Sequence, residues 1–501
     1  MKNASKISLY TMLSRLLGLG RDAVFTGCFS TSELGLFLMA YKIPQFLRRV
    51  FAEGAFSQAF IPVLKSYDQQ PSSERSLYLN QVFSWLCVLM LVFALLGCCC
   101  PQLFIMLFAG GLMRDPDRYF RAVTLVRYLF PCVMLISISG FFTAALQARS
   151  RFTVPALIPA MQNGVFILVA LLLASRFEVA TYALVWGVVI ASVLQVVWLW
   201  WGYRDLYDQL KLSWGWDKQV ERTFILMSVG IYATSTTQIG VVLDGIILSY
   251  LASESQAWFY LAERLANLPQ GLIAVSVVTV LSPSLSASWQ AQNKQQFHDR
   301  LSWGVAVVMF LGVPAGFGLF WFSDAIATTL FFRGKFSLYD VKQVAFALRM
   351  LALGVPAFML SKVYVAAFAA KQEMRYSFVV ASVAVVSNIS MSLIGVSWLN
   401  HAALALSMTL SSYLQVGLLW CRLYQGERWA RWVEQTQLLG KILLACSSVL
   451  IGYSMVPSME VWPKLANSVQ LGYLMAVLGV TVPLYFGFLR VMSVRMSLVM
   501  R

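Results

Sequence analysis

The chain of 501 residues is 59% hydrophobic and only 12% charged, against about 45–50% and about 25% in water-soluble domains, so hydrocarbon and not water must be the solvent for most of its surface. The net charge of +16 does not mark a nucleic-acid binder, because the 38 Lys and Arg are dispersed among short loops and helix ends rather than gathered on one face. Two His and eight Cys without regular spacing offer neither a zinc site nor a disulfide framework.

Apolar stretches of about 20 residues, each long enough to cross roughly 30 Å of hydrocarbon as a helix, recur from end to end. They predict an all-α polytopic membrane protein with about 14 transmembrane helices. The first, 8–29, carries Arg15, Arg21 and Asp22 in its interior and lacks a small-residue cleavage site, so it reads as a retained span rather than a signal peptide. The second, 34–64, contains Lys42, Pro44, Arg48, Arg49 and Glu53. Four follow at 79–108, 121–147, 153–175 and 179–203, with Cys98, Cys99 and Cys100 inside the first of them as small hydrophobes. The seventh, 222–251, holds Asp244, and the eighth, 256–288, holds Glu263, Arg264 and Pro269. The rest lie at 302–323, 341–370, 376–398, 400–422, 436–456 and 467–490, and the polar breaks between spans are too short to build a soluble core.

Loop charge sets the expected orientation. Alternate loops hold 21 and 8 Lys and Arg, which puts both termini in the cytoplasm and requires an even number of spans. A faint internal echo also shows: Pro44, Gly54 and Phe60-Ile61-Pro62 in the second span correspond to Pro269, Gly271 and Leu281-Ser282-Pro283 in the eighth. Each of these spans follows one with an acidic residue, Asp22 or Asp244. Repeated bundles in transporters give such echoes; so does the plain frequency of Pro and Gly in membrane helices.

The chemistry lies in ten ionisable residues placed inside spans: Arg15, Arg21, Asp22, Lys42, Arg48, Arg49, Glu53, Asp244, Glu263 and Arg264. Each charge at bilayer depth costs on the order of 2.5–3.5 kcal/mol, so they are expected to face one another or a wet cavity. Arg49 and Glu53 lie one helical turn apart and Arg15 and Asp22 two turns apart, spacings that pair them on common faces. Six bases against four acids leave an excess of about two positive charges, mostly guanidinium, which suits a ligand such as a diphosphate. The alternative is that these side chains snorkel to the interfaces and fix topology. Pro44 and Pro269 would kink their helices and open a hollow, giving a cationic central cavity. Asp244, with Asn388, Ser392 and Thr409, could supply oxygen ligands to a monovalent cation, or Asp244 could pair with Arg264. No nucleotide-binding loop, H-E-x-x-H or G-x-S-x-G motif occurs, which favours transport or scaffolding over catalysis.

The stretch Ser14-Arg15-Leu16-Leu17-Gly18 with Arg21-Asp22-Ala23, followed by the run from Lys42-Ile43-Pro44 through Arg48-Arg49-Val50-Phe51-Ala52-Glu53-Gly54 to Ile61-Pro62, closely resembles the MurJ (MviN) family of lipid II flippases. That family lies within the multidrug, oligosaccharidyl-lipid and polysaccharide exporter superfamily. Glu263-Arg264-Leu265 through Pro283-Ser284-Leu285 carries a second match. The resemblance implies two six-helix bundles, 1–215 and 216–432, around a central cationic cavity, and two C-terminal helices, 433–501, that form a groove for a polyprenyl tail. It also implies that Arg15, Arg21, Arg48 and Arg264 bind the diphosphate, with Glu53 as the cavity acid and Ser14, Asp22, Arg49 and Glu263 in support. One departure is plain: Leu34-Gly35-Leu36-Phe37 stands where the family usually has Thr-Asp-Ala-Phe, and Glu33 is the nearest carboxylate.

The implied function is movement of lipid II, the undecaprenyl-diphosphate-linked peptidoglycan precursor, from the cytoplasmic to the periplasmic leaflet by alternating access. The expected partners are lipid II and membrane lipids, with no cofactor beyond a coupled monovalent cation or the membrane potential. Rival readings are a flippase for another polyprenyl-diphosphate oligosaccharide, a cation-coupled drug exporter, and a scaffold that recruits cell-wall synthesis proteins. Excess Arg in the cavity argues against the exporter of organic cations.

Overall fold

The computed structural model describes residues 2–49, 55–207, 209–425 and 428–492, the side chains of 2–8, 232–237 and 428–434 excepted. Every regular element among the described residues is a helix, which is how a chain in hydrocarbon satisfies its own backbone donors and acceptors. Eleven helical segments between Ser72 and Val491 are long and apolar enough to cross a membrane, so the protein is a multi-pass membrane protein. The three long helices bearing Arg15, Lys42 and Asp244 fall outside that set.

The chain forms two compact units, Met1–Ala257 with Arg333–Phe336, and Trp258–Phe332 with Ser337–Arg501. The first contains α1 (Lys2–Cys28), α2 (Thr31–Leu47), α3 (Phe56–Ser66), α4 (Ser72–Cys99), α5 (Pro101–Ala109), α6 (Pro116–Leu129), α7 (Pro131–Ala148), α8 (Thr153–Ala156), α9 (Ile158–Leu173), α10 (Thr181–Arg204) and α11 (Lys218–Ser249). Here α1 packs on α9, α9 and α7 on α10, and α3 and α4 on α7. An aromatic file joins the last group: Phe56 stacks on Phe60 at 4.9 Å, Phe60 on Tyr78 at 5.9 Å and Tyr78 on Tyr67 at 4.8 Å. The buried Tyr78 hydroxyl is satisfied by the Thr223 hydroxyl at 2.8 Å, which ties α4 to α11.

Helix ends in this unit follow local chemistry. Ser30 and Glu33 form a reciprocal capping box that starts α2, so Glu33 is engaged at the end of its own helix. Gly35 itself lies against the turn after α11: a β-carbon there would sit 2.6 Å from the Ser253 carbonyl oxygen, closer than real side chains approach. Gly334, in the left-handed region at φ +58°, presses on the Gly27 carbonyl at the end of α1, where its missing β-carbon would come within 2.1 Å. The run Cys98-Cys99-Cys100, expected inside a span, instead marks the break between α4 and α5, where Pro101 opens the next helix and leaves Cys99 and Cys100 exposed.

The second unit contains α12 (Ser255–Pro269, entered from the first unit), α13 (Val275–Gln290), α14 (Lys294–Trp321), α15 (Ser323–Phe331), α16 (Leu338–Ala370), α17 (Met374–Leu399), α18 (His401–Leu423), α19 (Arg428–Ala445), α20 (Ser447–Ser454) and α21 (Asn467–Val491). Pro269 cannot continue the hydrogen-bond ladder, and the wide π turn Gln270–Ala274 follows it. Buried α16 is the axis of this unit, packed on α14, α13 and α18. Small residues, among them Ala345, Ala347, Ala352, Ala402, Ala403 and Ala405, are buried on α16 and α18. Thr409 Oγ1 donates to the Met350 carbonyl at 2.7 Å and Tyr413 to that of Leu353 at 2.8 Å, bonds that hold helices together where apolar burial offers little preference over lipid. Replacing Gly35 by Ala should drive a methyl into a backbone oxygen and lower stability by about 1–3 kcal/mol, read as an earlier thermal transition of the detergent-purified protein.

Candidate functional site

The first candidate residues sit together on α1, which packs against α9. Arg21 turns back on its neighbour: Nη2 and Nε donate to Asp22 Oδ1 at 2.6 and 3.0 Å. Asp22 is fully buried and the Arg21 side chain is 14% exposed. The carboxylate is bound by Arg21, because an adjacent arginine is long enough to fold along the helix and meet it. Arg21 Nη1 also donates to Asn163 Oδ1 on α9 at 3.1 Å, and its guanidinium lies 5.4 Å from the Phe25 ring and 5.8 Å from the Phe166 ring. Carboxylate, amide and aromatic faces together replace the water this cation has lost. Ser14 and Arg15 are half-buried one turn and more before it.

A second group lies along α2. Lys42 Nζ donates to the buried Gln256 at 3.1 Å, and Arg49, exposed, donates to Gln238 of α11 at 3.4 Å. Lys42, Gln45 and Arg49 lie three to four residues apart on one face of the helix. With Phe46, Phe108, Gln238 and Gly245 they line a small pocket in which two cations and two amides face apolar side chains. Arg48 caps the end of α2 and is half-buried. Glu53, the expected cavity acid and partner of Arg49, lies outside the described residues.

The remaining candidates divide between the units. Asp244 is buried on α11 in the first unit. In the second, Arg264 is half-buried on α12 and Glu263 accepts from Asn267 at 3.4 Å. Asn388 and Ser392 are buried on α17, one turn apart, and Thr409 is buried on α18. Among the described residues no group of three His, Cys, Asp or Glu could hold a metal ion.

Residues 28–470 match the family described as "Lipid II flippase MurJ". The chain belongs to the MurJ family of lipid II flippases. It is 31% identical to the "Lipid II flippase MurJ" of Burkholderia cenocepacia, over 87% of each chain. It is 29% identical to the "Probable lipid II flippase MurJ" of Haemophilus influenzae, over 97% of this chain and 98% of that one. A solved structure of "Lipid II flippase MurJ, inward closed conformation" shares the fold with a TM-score of 0.81 at 23% identity, covering 97% of this chain and 99% of that one. An inward-facing multidrug resistance MATE transporter of the MOP superfamily follows with a TM-score of 0.68 at 12% identity, covering 82% and 93%.

For a MurJ-family protein the question is how each cation is held, and three uncharged residues, Asn163, Gln238 and Gln256, answer it for Arg21, Arg49 and Lys42. Sequence reasoning passed over all three because it followed charge. The available signal was the amide pair Gln162-Asn163 inside the otherwise apolar run of α9: Gln162 donates to the Tyr41 hydroxyl of α2 at 3.1 Å while Asn163 serves α1. Removing the carboxylate with Asp22→Ala should leave a buried guanidinium uncompensated and cost about 3–5 kcal/mol, seen as a loss of membrane-inserted protein and a lowered melting transition. Asp22→Asn, which keeps an acceptor oxygen, should cost less.

Proposed function

We propose that this protein moves lipid II from the cytoplasmic to the periplasmic leaflet of a bacterial inner membrane. The observation that carries the reading is the match of residues 28–470 to the MurJ family, and the cations Arg15, Arg21, Arg48 and Arg264 support it chemically. The diphosphate of the substrate meets these arginines while the polyprenyl tail stays in lipid, and the protein alternates between inward and outward access. Both termini face the cytoplasm, in keeping with the loop-charge asymmetry.

Basic residues outnumber acidic ones among the charges inside spans, which fits a polyanionic head group and disfavours the organic cations of a drug exporter, despite the MATE-like fold. Direction comes from a coupled monovalent cation or from the membrane potential, which is worth about 2.3 kcal/mol per charge per 100 mV. Asp244 in the first unit, and Asn388, Ser392 and Thr409 in the second, are buried oxygen-bearing residues of the kind such an ion takes as ligands.

The test is complementation in cells depleted of their own lipid II flippase, at matched membrane levels of each variant. The wild-type chain should restore growth, while Arg48→Ala and Arg264→Ala should each fail. Failure of a well-inserted wild type would point to another polyprenyl-diphosphate oligosaccharide, and rescue by both variants would remove the arginines from the substrate path and favour a scaffolding role.

A further inference from the structure

Asn163 makes two bonds to one helix. Its Oδ1 accepts from Arg21 Nη1 at 3.1 Å and its Nδ2 donates to the Ser14 backbone carbonyl at 3.0 Å. The two anchor points lie seven residues apart on α1, two turns or about 10 Å along the axis. The residue after the first is Arg15. Asn163 itself is 6% exposed on α9, and its neighbour Phe166 supplies one of the rings beside the Arg21 guanidinium.

An amide with both ends engaged is a specific brace, since in a buried site the loss of either partner leaves a polar group unsatisfied. The Nε and Nη2 edge of Arg21, the fork that would grip a phosphate, is closed on Asp22. Arg21 in this arrangement is a fixed member of an ion pair that anchors the helix, with its fork not presented for a bidentate contact.

We infer that Asn163 is a positioning residue for substrate binding: it locks Arg21 and the Ser14–Arg15 turn of α1 in one arrangement, so that the cations of this helix are set before a diphosphate arrives. Preorganisation of this kind raises affinity by removing the cost of ordering the site on binding. The inference deepens the lipid II reading and rests on it.

The experiment uses the full chain in lipid nanodiscs with undecaprenyl diphosphate as the probe, comparing wild type, Asn163→Ala, Arg21→Gln and the double variant. Asn163→Leu, close in volume but unable to make either bond, guards against a cavity effect and must behave as the Ala variant does. Loss of a charge-assisted bond should weaken binding about tenfold in Asn163→Ala. The same change in the Arg21→Gln background should add less than twofold, since the two residues act as one unit. Hydrogen exchange of the amides near Gly18, which in a regular helix bond to the Ser14 carbonyl, should accelerate in the Asn163 variants with or without probe. Wild-type affinity in Asn163→Ala, or losses that multiply in the double variant, would overturn the positioning role. A wild type that binds no undecaprenyl diphosphate would defeat the substrate reading, and the brace would then stand or fall on the exchange rates alone.

Discussion

A guanidinium among apolar helices persists only where other groups take over from the water it has given up, and the arrangement around Arg21 meets that constraint. One carboxylate neutralises it, one amide accepts from its far side, and two phenylalanine rings lie beside it. These groups come from two helices, so solvating the cation and holding α1 to α9 are the same event. Insertion cost explains why the pairing is local: an ion pair formed between adjacent residues is complete as soon as the helix forms, before any partner helix arrives.

Much of the architecture was legible because the lipid environment imposes a long, simple signal. The apolar stretches near 341–370, 376–398, 400–422 and 467–490 became α16, α17, α18 and α21 with ends moved by a few residues, and 302–323 became α14 with two further turns at its start. Interior breaks were harder to read. Pro101 divides the stretch 79–108 into α4 and α5, and no drop in hydropathy announces it, since the cysteines before it are as apolar as the leucines around them. Charge drew attention to the right helices but said less about how each cation is held. Spacing of seven puts Arg15 and Asp22 on one face, and the flexible stem of Arg21, which that spacing does not weigh, reaches the same carboxylate from the adjacent position. The amides that complete these contacts carry no charge and left almost no trace in the pattern, which is why Asn163, Gln238 and Gln256 had to be found in three dimensions.

The two units reach stability by different mixtures of the same forces. In the first, long aromatic side chains of α3, α4, α7 and α10 interlock, with Tyr203 stacked on Tyr207 at 4.9 Å and Tyr207 donating to the Ala145 carbonyl at 3.0 Å. In the second, alanines on α16 and α18 let backbones approach, and hydroxyls donate directly to carbonyls of the facing helix. Near the C-terminus the pattern turns mixed: Tyr485 of α21 donates to the Phe310 carbonyl at 2.7 Å, and the fully buried Trp462 reaches the Thr329 hydroxyl at 3.3 Å. Lipid offers apolar side chains much the same company as protein does, so these shape and polar contacts decide which helices stay together.

The contact between Gly35 and the Ser253 carbonyl limits what position 35 can carry. Any side chain grown there meets a main-chain oxygen, which cannot rotate aside as the tip of a flexible side chain would. With the turn after α11 seated in this place, the space that a carboxylate at position 35 would need is already filled by backbone, so the glycine and the seating of that turn stand or fall together.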